Sequence, residues 1–208
     1  LDLSSVQGTL DLTGVTVLDG LFFECFALTT INNINSWDTS AITTMNSMFG
    51  NCTSFNQALS FNTSVVTNIG SMFNGCSVFN SALTFDTSFV ESMEGTFSDA
   101  TAFNQPLSFD TSAVTNMELM FNNATAFNQN IGTWDVANVT TFTDFMTGKT
   151  PATFSTTNLN AIYNGWSTQA VQPGLIITFG TAKYTGAATA GRLVLTGTAL
   201  WTITDGGL

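Results

Sequence analysis

The chain has 208 residues, with 3 Lys+Arg against 14 Asp+Glu, no His, and a formal net charge of −11. Charged residues make up 8%, well under the roughly 25% of an ordinary soluble domain, and a hydrophobic fraction of 44% is ample for a core. Lys149, Lys183 and Arg192 are the only cations, which excludes a basic nucleic-acid face and attraction to an anionic membrane surface. Without His, imidazole metal sites and His-based general-base triads are excluded too. Trypsin has no cleavage point before Lys149. The start, Leu1-Asp2-Leu3-Ser4-Ser5, has neither the basic stretch nor the apolar core of a secretory signal, and no apolar run approaches the ~18 residues of a membrane span. The chain therefore reads as a processed piece of something larger, or as one exported by another route.

Residues 1–9 read as an N-terminal edge, and a repeat follows over residues 10–146. The string Phe55-Asn56-Gln57-Ala58-Leu59-Ser60-Phe61-Asn62-Thr63-Ser64 returns from Phe79, from Phe103 and, altered, from Phe127. The aromatic before the Asp or Asn stands at Trp37, Phe61, Phe85, Phe109 and Trp134, at intervals of 24, 24, 24 and 25. A degenerate copy from Leu10 makes six. A unit this short cannot bury its own apolar side, so stacking is required.

Within a unit, Leu59-Ser60-Phe61 alternates, which predicts a short strand with Ser60 outward. The pattern Val66-x-x-Ile69-x-x-Met72-Phe73 predicts a short helix or helical turn, with Asp38-Thr39-Ser40 and Asp110-Thr111-Ser112 as N-caps. The predicted fold class is an α/β solenoid: a right-handed, leucine-rich-repeat-like stack of six strand-plus-helical-turn units. Three ladders follow from the register. Asn56, Asn80, Asn104 and Asn128 are read as serving backbone groups. Cys25, Cys52 and Cys76, succeeded by Ala100 and Ala124, are read as buried free thiols. Asp38, Asp86, Asp110 and Asp135, with Asn62 between, are read as caps in preference to calcium ligands.

Periodicity stops after Met146, and Gly148-Lys149-Thr150-Pro151 reads as a turn. Beyond it a short helix from Asn158 ending at Gly165, a strand over 175–179, a helix over 187–195 and a closing strand and turn over 201–207 are expected. Residues 147–208 thus read as a C-terminal α/β cap, with Trp166 and Trp201 as core plugs.

The repeat Met-Phe-x-x-Cys/Ala-x-x-Phe-Asn-x-x-Leu-x-Phe/Trp-Asp-Thr-Ser-x-Val-x-x-Met-x-x-Met-Phe, as in Met48-Phe49 through Met72-Phe73, resembles the BspA-like leucine-rich-repeat surface proteins. The ending Trp201-Thr202-Ile203-Thr204-Asp205-Gly206-Gly207 resembles the segment that follows such repeats. The resemblance implies a right-handed leucine-rich-repeat solenoid, exposure on a cell or particle surface, and adhesion or host interaction, with a protein or glycan of a host or neighbouring cell surface as partner.

No catalytic constellation stands out. Glu91, Glu94 and Asp99 read as a solvated acidic patch in preference to a glycosidase pair. No cofactor, metal site or membrane insertion is expected. The leading expectation is a non-enzymatic, extracellular binding or adhesion module that recognises a polar protein or glycan. Its candidate contacts are the outward strand positions Ser36, Ser60, Thr84, Ser108 and Thr133, with Gln57, Gln105 and Gln129 nearby. The alternative is a structural or decorative subunit of an appendage, fibre or virus particle, with self-association. Ice binding through Thr39, Thr63, Thr87 and Thr111 is the weakest of the three, because capping explains that column.

Overall fold

The computed structural model describes residues 3–208; residues 1 and 2 of the expected N-terminal edge lie outside them. The predicted α/β solenoid is not what the chain forms. Helix accounts for 13% and strand for 9%. The strands are β1 (Ser5–Val6), β2 (Thr30–Ile31), β3 (Ile176–Thr178) and β4 (Thr202–Thr204), and the α-helices are α1 (Thr156–Trp166) and α2 (Thr189–Leu193). Both α-helices lie after the repeats. Apart from a 3-10 turn at Ile34–Ser36 and isolated bridges, the repeats are turns and coil.

The hydrogen bonds explain why no helix forms. From Met45 onward, alternate N–H groups leave the rung: Met45, Ser47, Phe49 and Asn51 donate to the carbonyls of Asn68, Gly70, Met72 and Asn74 in the next rung. The N–H groups between them close local turns, with Met48 donating to Met45, Gly50 to Ser47 and Cys52 to Phe49. The four-bond pattern recurs between successive rungs from Leu18 to Thr147. Backbone groups spent on neighbouring rungs are not free to close the i→i−4 ladder of a helix. Bridges at Val17, Thr44, Asn68, Ser92, Asn116 and Thr141 mark the parallel line along which rungs meet. The expected strand at Leu59 is reduced to one bridge, Leu59 to Leu83.

Tandem turns of this kind need a residue with positive φ at regular places. Two columns supply it. Gly20, Ser47, Ser71, Gly95, Leu119 and Asp144 form one, and Glu24, Asn51, Gly75, Asp99, Asn123 and Gly148 the other; all twelve have positive φ. A side chain there costs about 1–2 kcal/mol, which the four inter-rung hydrogen bonds and the core offset.

The core is a stack of rings. Phe49, Phe73, Phe97 and Phe121 stack at 5.7 Å between centroids, and Phe55, Phe79, Phe103 and Phe127 form a second file at 5.9–6.2 Å. The files interleave at 3.9–4.4 Å. Each ring is fully buried, worth roughly 1.5–3 kcal/mol apiece. Met45, Met72, Met93 and Met120 fill the space beside them.

The break in period at residue 147 does not break the ladder. Phe142 bridges to Ile177 of β3, and β3 pairs in parallel with β4, so the C-terminal segment adds two further layers. The sequence places a helix from Asn158 ending at Gly165, and α1 occupies Thr156–Trp166. Its N-cap Ser155 accepts a hydrogen bond from the Asn158 N–H, and Leu159, Ile162, Tyr163 and Trp166 are buried on one face. A Cβ on Gly165 would lie 1.9 Å from the Gly132 carbonyl, so α1 sits on the last repeat at backbone distance. The helix expected over 187–195 runs as 3-10 turn, α2 and π-turn from Gly186 to Thr198. Trp166 and Trp201 are buried, with Nε1 donating to Ile131 O and Gln172 O.

Candidate functional site

The sequence marks hydroxyls on the rung surface, and the structure sorts these hydroxyls by what each one bonds. Three exposed or half-buried columns are committed internally. Ser40, Ser88 and Ser112 donate to Asp38, Asp86 and Asp110 at 2.6–2.7 Å, and Ser64 donates to Asn62 at 2.8 Å. Thr43, Thr67, Thr115 and Thr140 reach back to the preceding rung's carbonyl. Thr53, Ser77, Thr101 and Thr125 do the same elsewhere on the rung. Thr39, Thr87 and Thr111 are buried and donate forward to Asn62, Asp110 and Asp135 carbonyls. An ice-binding face is not available from side chains turned inward.

One column differs. Ser60, Thr84, Ser108 and Thr133 are exposed on consecutive rungs, and among the described residues their hydroxyls take no internal partner. The Leu59–Leu83 bridge fixes Ser60 beside Thr84. Alternation with buried Leu59, Phe61, Leu107 and Phe109 turns them outward. Ser36, the fifth predicted member, is exposed, but its hydroxyl donates to Asn33 O at 2.7 Å. It lines a shallow cleft of about 520 Å³ with Asp11, Leu12, Asp38 and Ser40 between the first two rungs.

The three glutamines do not join this row as free groups. Gln57 accepts from the Ile31 N–H at 2.8 Å and donates to its carbonyl at 3.0 Å, so its amide stands in for a strand neighbour. Gln105 donates to Asn80 Oδ1, and Gln129 to Asn104 O and Oδ1. The asparagines they touch serve the backbone. Asn56, Asn80 and Asn104 each accept from the N–H of the next asparagine at 2.8–2.9 Å, and Asn128 accepts from Ser155 N–H at 2.9 Å, carrying the ladder into α1.

Two further exposed columns border the free hydroxyls. On one side run Ala58, Ala82, Pro106 and Asn130, and on the other Asn62, Asp86, Asp110 and Asp135. The capping expected of the aspartates is corrected: with no helix after them, they close short turns, Asp38 Oδ1 accepting from Ser40 N–H at 3.1 Å. Hydrogen bonds from the serine hydroxyl, then from the serine N–H, hold the Asp38, Asp86 and Asp110 carboxyls below the usual carboxylate range. The face is therefore neutral hydroxyls flanked by stable negative charge.

Cys25, Cys52 and Cys76 are buried free thiols. Cys52 and Cys76 donate to Phe22 O and Phe49 O at 3.0 Å, and burial pushes the Cys52 thiol up to about 12 and raises Cys76 as well. The same column ends in Lys149, where the sequence predicts a turn. Its Nζ donates to the Ala124, Thr125 and Phe127 carbonyls, and burial pulls it down to about 7. The signal was in the spacing, since Lys149 follows Ala124 by one repeat. Among the described residues no cluster of three or more His, Cys, Asp or Glu is placed to hold a metal ion, and no helix is long and apolar enough to cross a membrane.

A family model described as "Mycoplasma protein of unknown function, DUF285" matches residues 16–109, 59–159 and 84–179, overlapping spans that together take in every repeat from the first bridge to β3. The chain belongs to that family. No curated protein and no solved structure matches it.

Proposed function

We propose that this family member is a non-enzymatic binding module of a cell or particle surface, akin to the BspA-like surface proteins. It recognises a polar protein or a glycan through the Ser60, Thr84, Ser108 and Thr133 column. The observation that supports this reading is the selective freedom of that column. On the same rungs the exposed Ser64, Thr67 and Ser77 columns are bonded within the chain and the inward threonines donate to carbonyls except at Thr63, whereas these four exposed hydroxyls in register have no partner among the described residues. A free hydroxyl both donates and accepts, which suits the hydroxyls of a saccharide or the amides of a protein surface. The bordering Asp86, Asp110 and Asp135 add acceptors. Their charge favours hydroxyl-rich or cationic ligands over anionic ones.

The test is binding of the 208-residue chain to a panel of glycans and matrix proteins. A saturable ligand lost on changing Ser60, Thr84 and Ser108 together to Leu, with unfolding unchanged, supports the reading. A ligand that survives that triple change sinks it, as does a blank panel.

A further inference from the structure

Of the phenylalanines from Phe49 to Phe145, Phe89 alone is exposed, at 63%. Its register gives no packing reason for a ring. The same position holds Ala41, Val65, Ala113 and Asn138 on other rungs, and Val90 beside it fills the core as Val66 and Val114 do. A second departure stands two residues on. Thr43, Thr67, Thr115 and Thr140 each donate to the preceding rung's carbonyl. Glu91 takes that place on the Phe89 rung, and its carboxylate has no partner among the described residues. Neither residue supports the stack. The Glu91 N–H donates to Thr67 O at 2.8 Å, and the Thr115 N–H to Glu91 O at 2.9 Å, which sets Val65 and Ala113 on either side of Phe89. Val65 is itself 43% exposed. The patch therefore lies on the flank of the array, with a rung of this chain on each side of it.

We propose that this flank docks a basic segment of a partner protein, with an arginine laid over Phe89. Charge sets the occupant. Asp86 precedes the ring by three residues, Glu91 follows it by two, and Asp110 repeats Asp86 on the next rung; all three are exposed. Among the described residues the one ion pair joins Arg192 to Asp205, so these carboxylates stand unneutralised. A second copy is a poor occupant, because two such patches face to face would set carboxylates against carboxylates. A guanidinium fits both halves of the surface. Its plane stacks on the ring, its donors reach the carboxylates, and its methylene stem covers apolar area. The surface needs nothing from Ser60, Thr84 or Ser108, so it stands or falls apart from the hydroxyl column.

Fluorescence anisotropy tests this with the 208-residue chain and a labelled octapeptide of alternating glycine and arginine at low salt. Saturable binding is expected below about 1 mM, weakening in high salt. Phe89→Ala is expected to weaken it about three- to five-fold with unchanged melting, and Glu91→Gln to weaken it as well. Phe89→Trp is expected to tighten it, since indole is the better cation platform; a folding defect cannot imitate that gain. The Leu variant of Ser60, Thr84 and Ser108 is expected to bind the peptide as before. Binding that Phe89→Ala leaves unchanged would show only diffuse attraction to an acidic chain and would overturn the proposal. So would no saturation, loss of binding in the Leu variant, or self-association of the unmodified chain that Phe89→Ala abolishes.

Discussion

Ser71 gives the sharpest test of the turn-stack architecture, because the two folds predict opposite orders for two small substitutions. In the structure Ser71 has φ 52°, its N–H donates to Glu94 O at 2.6 Å and its carbonyl accepts from Asn74 at 3.1 Å. Its side chain makes no hydrogen bond among the described residues, so replacing it disturbs little besides backbone preference. Left-handed φ with a Cβ costs about 1–2 kcal/mol, and glycine returns some of that through its unfolded-state entropy. Ser71→Gly is therefore expected to be more stable than Ser71→Ala by about 1 kcal/mol. In a helix the order inverts, with glycine about 1 kcal/mol worse than alanine, so the two architectures differ by about 2 kcal/mol in one comparison. Urea unfolding followed by circular dichroism resolves a difference of that size. An alanine variant more stable than the glycine variant would refute the left-handed turn at this position. The same pair at Ser47, where φ is 54°, checks that the result belongs to the column.

Other consequences follow from the ladders. Asn104→Ala removes the acceptor for the Asn128 N–H and for Gln129 Nε2, and is expected to cost about 1–3 kcal/mol by leaving a part-buried donor unpaired; Asn104→Asp, which keeps the acceptor, is expected to cost less in the same urea titration. Lys149 has a folded pKa of about 7, below its usual 10.5, so above pH 7 the unfolded chain binds the proton that the folded chain does not. Stability relative to Lys149→Met is expected to rise with pH between 7 and 9, by up to about 1.4 kcal/mol per unit, and a flat difference would show that the ammonium stays charged in place. Cys25, Cys52 and Cys76 are expected to resist a thiol reagent at pH 8 until the chain unfolds and then to react together, since all three are buried from the reagent and burial also holds the Cys52 and Cys76 thiols protonated; labelling of the native chain would contradict the burial.

What could be read from the sequence was register, and what could not was backbone conformation. The interval between Phe61, Phe85 and Phe109 placed like residues above one another, and the stacked rings follow from it. It also aligned Ser60 with Thr84 and Ser108, but it could not show that these hydroxyls lack partners while Ser64 and Thr67 have them, because that depends on where each carbonyl points. The helix was misread because Ile69, Met72, Phe73 and Cys76 face inward in tandem turns as well as on a helix. Both arrangements return to the core every three or four residues, so apolar spacing alone does not separate them.

The separating information lay in a different column. Glu24, Asn51, Gly75, Asp99, Asn123 and Gly148 share a register position, and five of the six are Asn, Asp or Gly, the residues that best tolerate left-handed φ. A helix interior would disfavour that set at every copy. Gly75 adds a packing reason, since a Cβ there would lie 2.2 Å from Asn51 Oδ1 on the rung below. By contrast, α1 was legible because Leu159, Ile162, Tyr163 and Trp166 sit on one face behind a Ser155 cap, with no such column to interrupt them. A polar residue that recurs in register is thus evidence about backbone geometry in its own right, and here it outweighs the apolar spacing around it.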